Sequence, residues 1–148
     1  CIAIAGMGAS TIISILEDDM EVAQSAELLV LQPMAGATSL RAWLCSHGWQ
    51  LAAEELVDDA PHFYEIIAAK RGLAPAYSAA ECAVGPLLLA QEHPLLGKQL
   101  ERQLATCRQL LENMGRSERA RASEKYKEIE ALKAELEVLQ NGKRSDSK

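Results

Sequence analysis

The sequence has 148 residues, 49% of them hydrophobic, a net charge of −6 and no run near the roughly 18 apolar residues that cross a membrane. That is material for one ordinary core with an appendage, addressed by default to the cytosol because the first residues also lack the basic start of a signal peptide. The charge is uneven: residues 1–97 carry 12 acidic and 3 basic side chains, a sum of −9, whereas residues 98–148 carry 9 acidic and 12 basic, +3.

In chain order, Cys1–Ala5 is a continuous apolar run, the pattern of a strand buried on both faces of a parallel sheet. No initiator Met precedes it, so the expectation is the C-terminal part of a longer chain. Gly6-Met7-Gly8 follows. A helix capped by Ser10 or Thr11 comes next, with Ile12, Ile13, Leu16 and Met20 at helical spacing and a solvated acidic end at Glu17, Asp18, Asp19 and Glu21. Glu27–Gln32 is a second buried strand closed by Pro33. Thr38–Ser46 is a helix with Leu40, Trp43 and Leu44 on one face, ended by Gly48. Strand, helix, strand, helix predicts a parallel βαβ arrangement. Trp49–Val57 and His62–Ala69 are two more strands, and the link Asp58-Asp59-Ala60-Pro61 is short enough to require an antiparallel pair.

The second part is helical. Ser78 and Glu81 have capping-box spacing, and Gly85-Pro86 and then His93-Pro94 interrupt or restart the helix. Leu100, Leu104, Cys107, Leu111 and Met114 form one heptad seam. After Gly115-Arg116-Ser117 a second seam runs through Ala122, Ile129, Leu132, Leu136 and Leu139, so the two helices should fold back as a hairpin. The predicted division is therefore 1–77 α/β, 78–140 helical hairpin and 141–148 a disordered tail.

Few residues carry obvious chemistry. Cys1, Cys45, Cys82 and Cys107 are too dispersed for a metal or redox pair, and no metal is expected. His47, His62 and His93 show no ligand spacing and take structural roles. Tyr64 and Glu65 face opposite sides of their strand. Arg41 is a phosphate or cofactor contact, or a surface residue paired with Glu54 or Glu55. The basic set Arg116, Arg119, Arg121, Lys125 and Lys127 lies near the hairpin tip, either as a solvated face interleaved with Glu118, Glu124 and Glu128 or as a contact for an RNA backbone.

The opening glycines have the outline of a dinucleotide loop, but Thr11 stands where the third glycine belongs and Gln32 where a ribose-binding acid is expected. A different pattern accounts for more of the chain. AGMG after a strand, LQP after the next, RAWL around Arg41, FYEII in the last strand and VGP before paired helices occur in the order and spacing of the bacterial tRNA (adenine-22-N1)-methyltransferases. Over residues 1 to about 140 the chain resembles this TrmK family.

That resemblance implies an α/β fold: the C-terminal half of a Rossmann-like class I methyltransferase sheet, two parallel strands plus a final antiparallel pair, followed by a helical coiled-coil hairpin. It implies S-adenosyl-L-methionine as cofactor and tRNA as substrate. Cys1–Ala5 would be the fourth of seven strands, with the half that grips most of the cofactor missing and the piece inactive alone. Matched positions place Gly6, Met7, Gly8, Gln32 and Pro33 at the methyl and target base, with Ala5, Gly6 and Met7 beside the cofactor. Where the family more often reads AGMGG and LQPN, this chain has Ala9 and Met34. Arg116, Arg119, Arg121 and Lys125 would meet the tRNA, and the protein would be a cytoplasmic monomer. The competing readings are a fragment of a nucleotide-dependent oxidoreductase and a non-enzymatic module acting through its hairpin.

Overall fold

The computed structural model describes residues 1–146 and falls into two compact units, 1–92 and 93 onward. In the first, β1 (Ile2–Met7), β2 (Leu29–Pro33), β3 (Trp49–Asp59) and β4 (His62–Arg71) form one sheet of order β1-β2-β4-β3. β1 and β2 are parallel, with Ile4 opposite Leu31; β4 runs antiparallel to both β2 and β3. Helices α1 (Ala9–Asp18) and α3 (Ala37–Ser46) cover one face, where Ile12, Leu16, Leu40 and Leu44 meet Ile4, Leu29, Leu31, Leu51 and Ile67. Burying these large aliphatic side chains supplies on the order of 2 kcal/mol each.

Burial therefore alternates along the strands, which corrects the expectation of strands buried on both faces: Ala3 and Ala5 are exposed and Val30 half-buried on the side away from α1 and α3. The acidic end is solvated as expected, with Glu17, Asp18, Asp19 and Glu21 all exposed, but the helix is shorter than its spacing implied. Asp19 stops α1 and caps α2 (Met20–Ser25), its Oδ1 accepting from the Val22 N–H at 3.1 Å, while Glu17 accepts from Trp43 Nε1 at 3.0 Å.

α4 (Ala79–Val84) opens with the predicted capping box of Ser78 and Glu81, and α5 (Pro86–Ala90) starts on Pro86. Both belong with the sheet rather than with the hairpin, so the division falls after Glu92 instead of at Ser78. The reason lies in buried bonds: Arg41 reaches the Cys82 carbonyl, and Glu54 accepts the Leu87 N–H.

The second unit packs α6 (Leu96–Met114) against α8 (Glu124–Asp146), joined through α7 (Glu118–Arg121). Leu100, Leu104 and Cys107 are buried from one helix, Ile129 and Leu136 from the other. Ser117 caps α7 as expected. Ala122, placed in the seam by its spacing, instead ends α7 and is exposed, because Ser123 starts a new helix with its Oγ accepting from the Tyr126 N–H. Helix α8 also takes in residues 141–146, part of the predicted tail, whose last two residues lie outside the described ones.

Candidate functional site

The C-terminal ends of β1 and β2 form a shared edge. Ala5 pairs with Gln32 and Met7 with Pro33, leaving Gly6 as an extra residue between the two rungs. It adopts φ +76°, a conformation that glycine enters without the penalty a Cβ would bring. The bulge turns the Gly6 N–H out of the ladder, and Gln32 Oε1 accepts it at 2.9 Å. Because a backbone N–H can only donate, this bond fixes which end of the Gln32 amide is oxygen. Its Nε2 then faces Met34 Sδ at 3.3 Å.

The loops following these strands are bonded to each other. The Met34 N–H donates to the Met7 carbonyl at 2.8 Å and the Ala9 N–H to the Ala35 carbonyl at 2.9 Å. A Cβ on Gly36 would stand 3.0 Å from that of Ala9, so the α1 and α3 starts approach at the limit that glycine permits. Gly8 precedes α1 in an extended conformation. The structure thus brings Ala5, Gly6, Met7, Gly8, Gln32 and Pro33 to one edge. Pro33 is buried, whereas Met7 is 40% and Met34 54% exposed.

Space above the glycines is open: a Cβ at Gly6 or Gly8 would meet nothing within 4 Å. An edge built of peptide groups and one carboxamide, with no titratable side chain in AGMG or LQP, can position a planar uncharged group. It offers nothing to take up a proton. The exposed Ala5–Met7 backbone could be approached closely by a bound group, since a Cβ at Gly6 would meet nothing within 4 Å. Among the described residues, no cluster of three or more His, Cys, Asp or Glu side chains is arranged to hold a metal.

A second constellation lies inside the first unit. Arg41 is paired with Glu54, one of the two expected partners, but it is fully buried instead of lying at the surface or on a phosphate. Its Nε donates to Glu54 Oε1 at 2.6 Å, Nη2 to Glu65 Oε1 at 2.9 Å and Nη1 to the Cys82 carbonyl at 2.9 Å. Burial opposes its charge, but the Glu54 and Glu65 carboxylates outweigh that and hold the guanidinium pKa above its ordinary value. Glu54 Oε2 also accepts the Leu87 N–H at 2.9 Å. Gly85 sits against this group at φ +114°, where a Cβ would stand 2.9 Å from Glu54 Oε2 and 3.1 Å from Arg41 Nη2. RAWL, FYEII and VGP therefore meet at one ion cluster, and it is structural.

The remaining candidates are placed as follows. Glu65 takes the core side of β4 and Tyr64 the other. His47 stacks on Trp43 with ring centroids 4.3 Å apart, and His93 Nδ1 accepts the Leu95 N–H. Arg116, Arg119, Arg121 and Lys125 are all exposed around the α6–α8 connection.

A family model described as tRNA (adenine(22)-N(1))-methyltransferase, TrmK, matches residues 1–141. The chain belongs to the TrmK family. A Bacillus subtilis tRNA (adenine(22)-N(1))-methyltransferase is 28% identical over 143 residues, covering 93% of this chain and 59% of that protein. Among solved structures, a Streptococcus agalactiae protein of the NADB-Rossmann superfamily superposes with a TM-score of 0.77 at 26% identity, covering 94% of this chain and 59% of its own. Streptococcus pneumoniae Sp1610, a candidate tRNA (m1A22) methyltransferase solved with S-adenosyl-L-methionine, gives 0.74 at 27% identity, with 94% and 59% covered. The chain thus spans about three-fifths of the length of the TrmK relatives it matches, and it has their Rossmann-like methyltransferase fold.

Proposed function

We propose that the protein carrying this chain transfers a methyl group from S-adenosylmethionine to N1 of adenine 22 in tRNA, in the cytoplasm and as a monomer. The family match across residues 1–141 carries this reading, and the bare Gly6–Gly8 edge supports it. The cofactor, when bound, supplies an electrophilic methyl on a sulfonium. Adenine N1 has a lone pair at neutral pH, so it forms the new N–C bond as the C–S bond breaks, and no proton has to leave first. An edge without a general base is adequate for that reaction, and orientation with exclusion of water can supply much of the rate.

In this reading Gly6, Met7, Gly8 and Gln32 line the place where methyl and base meet, with the Pro33 backbone closing it. Ala5, Gly6 and Met7 run beside the cofactor, and Arg116, Arg119, Arg121 and Lys125 meet tRNA phosphates. An oxidoreductase would need AGMG to be the first, phosphate-binding loop of its sheet, and the family match favours the methyltransferase. The deciding experiment incubates the full-length protein with tRNA and methyl-labelled cofactor and maps the product. N1-methyladenosine at position 22 is expected; an unmodified tRNA, or label elsewhere, overturns the reading. The 148-residue chain alone, which provides the cofactor only Ala5–Met7, is expected to show no turnover. Changing Arg116, Arg119 and Arg121 together to Glu should weaken tRNA binding and flatten its salt dependence; unchanged affinity across a salt series removes the hairpin from the RNA surface.

A further inference from the structure

The β3–β4 hairpin is longer than the sheet it belongs to. β4 pairs with β2 only through Ala69, Ala68 and Ile67, yet its ladder with β3 continues five rungs further, to His62 opposite Asp59. Since β4 runs antiparallel to β2, those rungs extend past the C-terminal edge of the parallel strands, the edge that bears AGMG and LQP. At the usual rise per residue they reach about 10 Å beyond Pro33.

The facing is set by the register. Ala5 pairs with Gln32, and Val30 pairs with Ala68, so Ala5, Gln32, Ala68, Ile66, Tyr64 and His62 share one side of the sheet. On that side the His62 and Tyr64 rings stack, centroids 5.8 Å apart and planes inclined by 28°. Val57, 40% exposed, stands opposite Tyr64. His62 is exposed and Tyr64 half-buried; the sequence is only 4% aromatic, and among the described residues another ring stack, of half-buried Trp43 with exposed His47, lies at the far end of α3, by the opposite edge of the sheet.

We infer that the His62–Tyr64 pair, backed by Val57, is a stacking platform for an unpaired nucleobase next to the target adenine. This rests on the tRNA methyltransferase reading. A base whose N1 is attacked must leave its stack, and its neighbour loses a stacking partner as well; side-chain rings are what RNA-binding proteins offer in exchange. Tyr64 stands two strands from Gly6, about 10 Å along the edge, a separation suited to a neighbouring base and too great for the target. The tip's charge points the same way. Asp58 and Asp59 would repel phosphates, so the tip meets the faces of bases, leaving the backbone to cationic surfaces elsewhere.

The test uses the full-length protein and its tRNA. Tyr64→Leu keeps an apolar partner for Val57 but removes the ring, and should raise KM roughly 5- to 100-fold with kcat little changed. Tyr64→Trp should restore KM, His62→Ala should give a smaller rise, and His47→Ala none. With an abasic nucleotide beside the target, wild type and Tyr64→Leu should become equal, while the salt slope stays the same in both. An unchanged KM in Tyr64→Leu, a Tyr64→Trp protein of native melting temperature that fails to recover, or a deficit that persists on the abasic substrate overturns the platform. If the wild type methylates no tRNA, the functional reading fails separately. Binding of a short single-stranded oligonucleotide then decides the platform, and equal affinity of wild type and Tyr64→Leu overturns it.

Discussion

The two constellations of the first unit are built from opposite materials. The Gly6–Gln32 edge is exposed, built mainly of peptide groups and uncharged; the Arg41 cluster is largely buried and centred on ion pairs between side chains. The conspicuous charges hold α3, β3, β4 and the α4–α5 corner together, whereas the edge suited to chemistry has no charge in its loops. In a reaction that needs no general base, the residues most conspicuous by type need not be the residues that react.

The contrast is broken most severely at Arg41. Arg41→Met leaves the buried Glu54 carboxylate and the partly buried Glu65 carboxylate without their cation and should cost about 3–5 kcal/mol, read by urea unfolding. Adding Glu54→Gln and Glu65→Gln to Arg41→Met should return part of that loss. If Arg41→Met lowered methyl transfer without touching stability, the cluster would belong to the site after all.

Gly6→Ala is the converse. It should cost about 1–2 kcal/mol of stability because φ +76° is forced on a Cβ that has room. In the full-length protein it should depress kcat by far more than that loss of stability accounts for, since the new methyl projects into the open space. Equal, small effects on both would make the bulge a turn and nothing else.

Gln32 sharpens the comparison at smaller scale. Gln32→Leu hands the exposed Gly6 N–H to water and should cost about 1 kcal/mol, whereas Gln32→Glu retains an acceptor and should keep the fold, so comparing their melting temperatures isolates the bond.

The smallest effect concerns thiols. Burial holds the Cys82 and Cys107 pKa values above the ordinary 9.0, in Cys82 against the pull of Arg41. The stabilisation these neutral thiols contribute is complete below about pH 9, where the unfolded thiols begin to ionise, and is lost as pH rises through the raised folded values. A modest loss of stability confined to the alkaline side should follow, and alkylation at pH 8 should be much slower at Cys82 and Cys107 than at the exposed Cys1.

Much of this fold was legible in the sequence because local rules coincided. Pro33, Gly48, the Ser78–Glu81 capping box and Pro86 punctuate elements where the structure ends or starts them, and the AGMG and LQP segments do meet. Arg41 pairs with Glu54, one of the two partners expected, but in the core instead of at the surface: Ala37, Leu40, Arg41 and Leu44 are the buried stripe of α3, so its spacing is that of a core residue although its type suggests the surface. The burial of Glu54 had no such local signal. A register shift between Leu51 and Ala53 changes the inward phase of β3 from odd to even residues, and nothing in WQLAAEEL announces it. The reach of the β3–β4 hairpin was equally hidden, because it depends on where β2 stops pairing, a non-local fact.

The bonds from Met34 to Met7 and from Ala9 to Ala35 make the two loops a single kinetic object. Each bond has its donor in one loop and its acceptor in the other, so Ala9 and Met34 should exchange their hydrogens through a common opening. A molecule that held the first loop still would then slow exchange in the second as well.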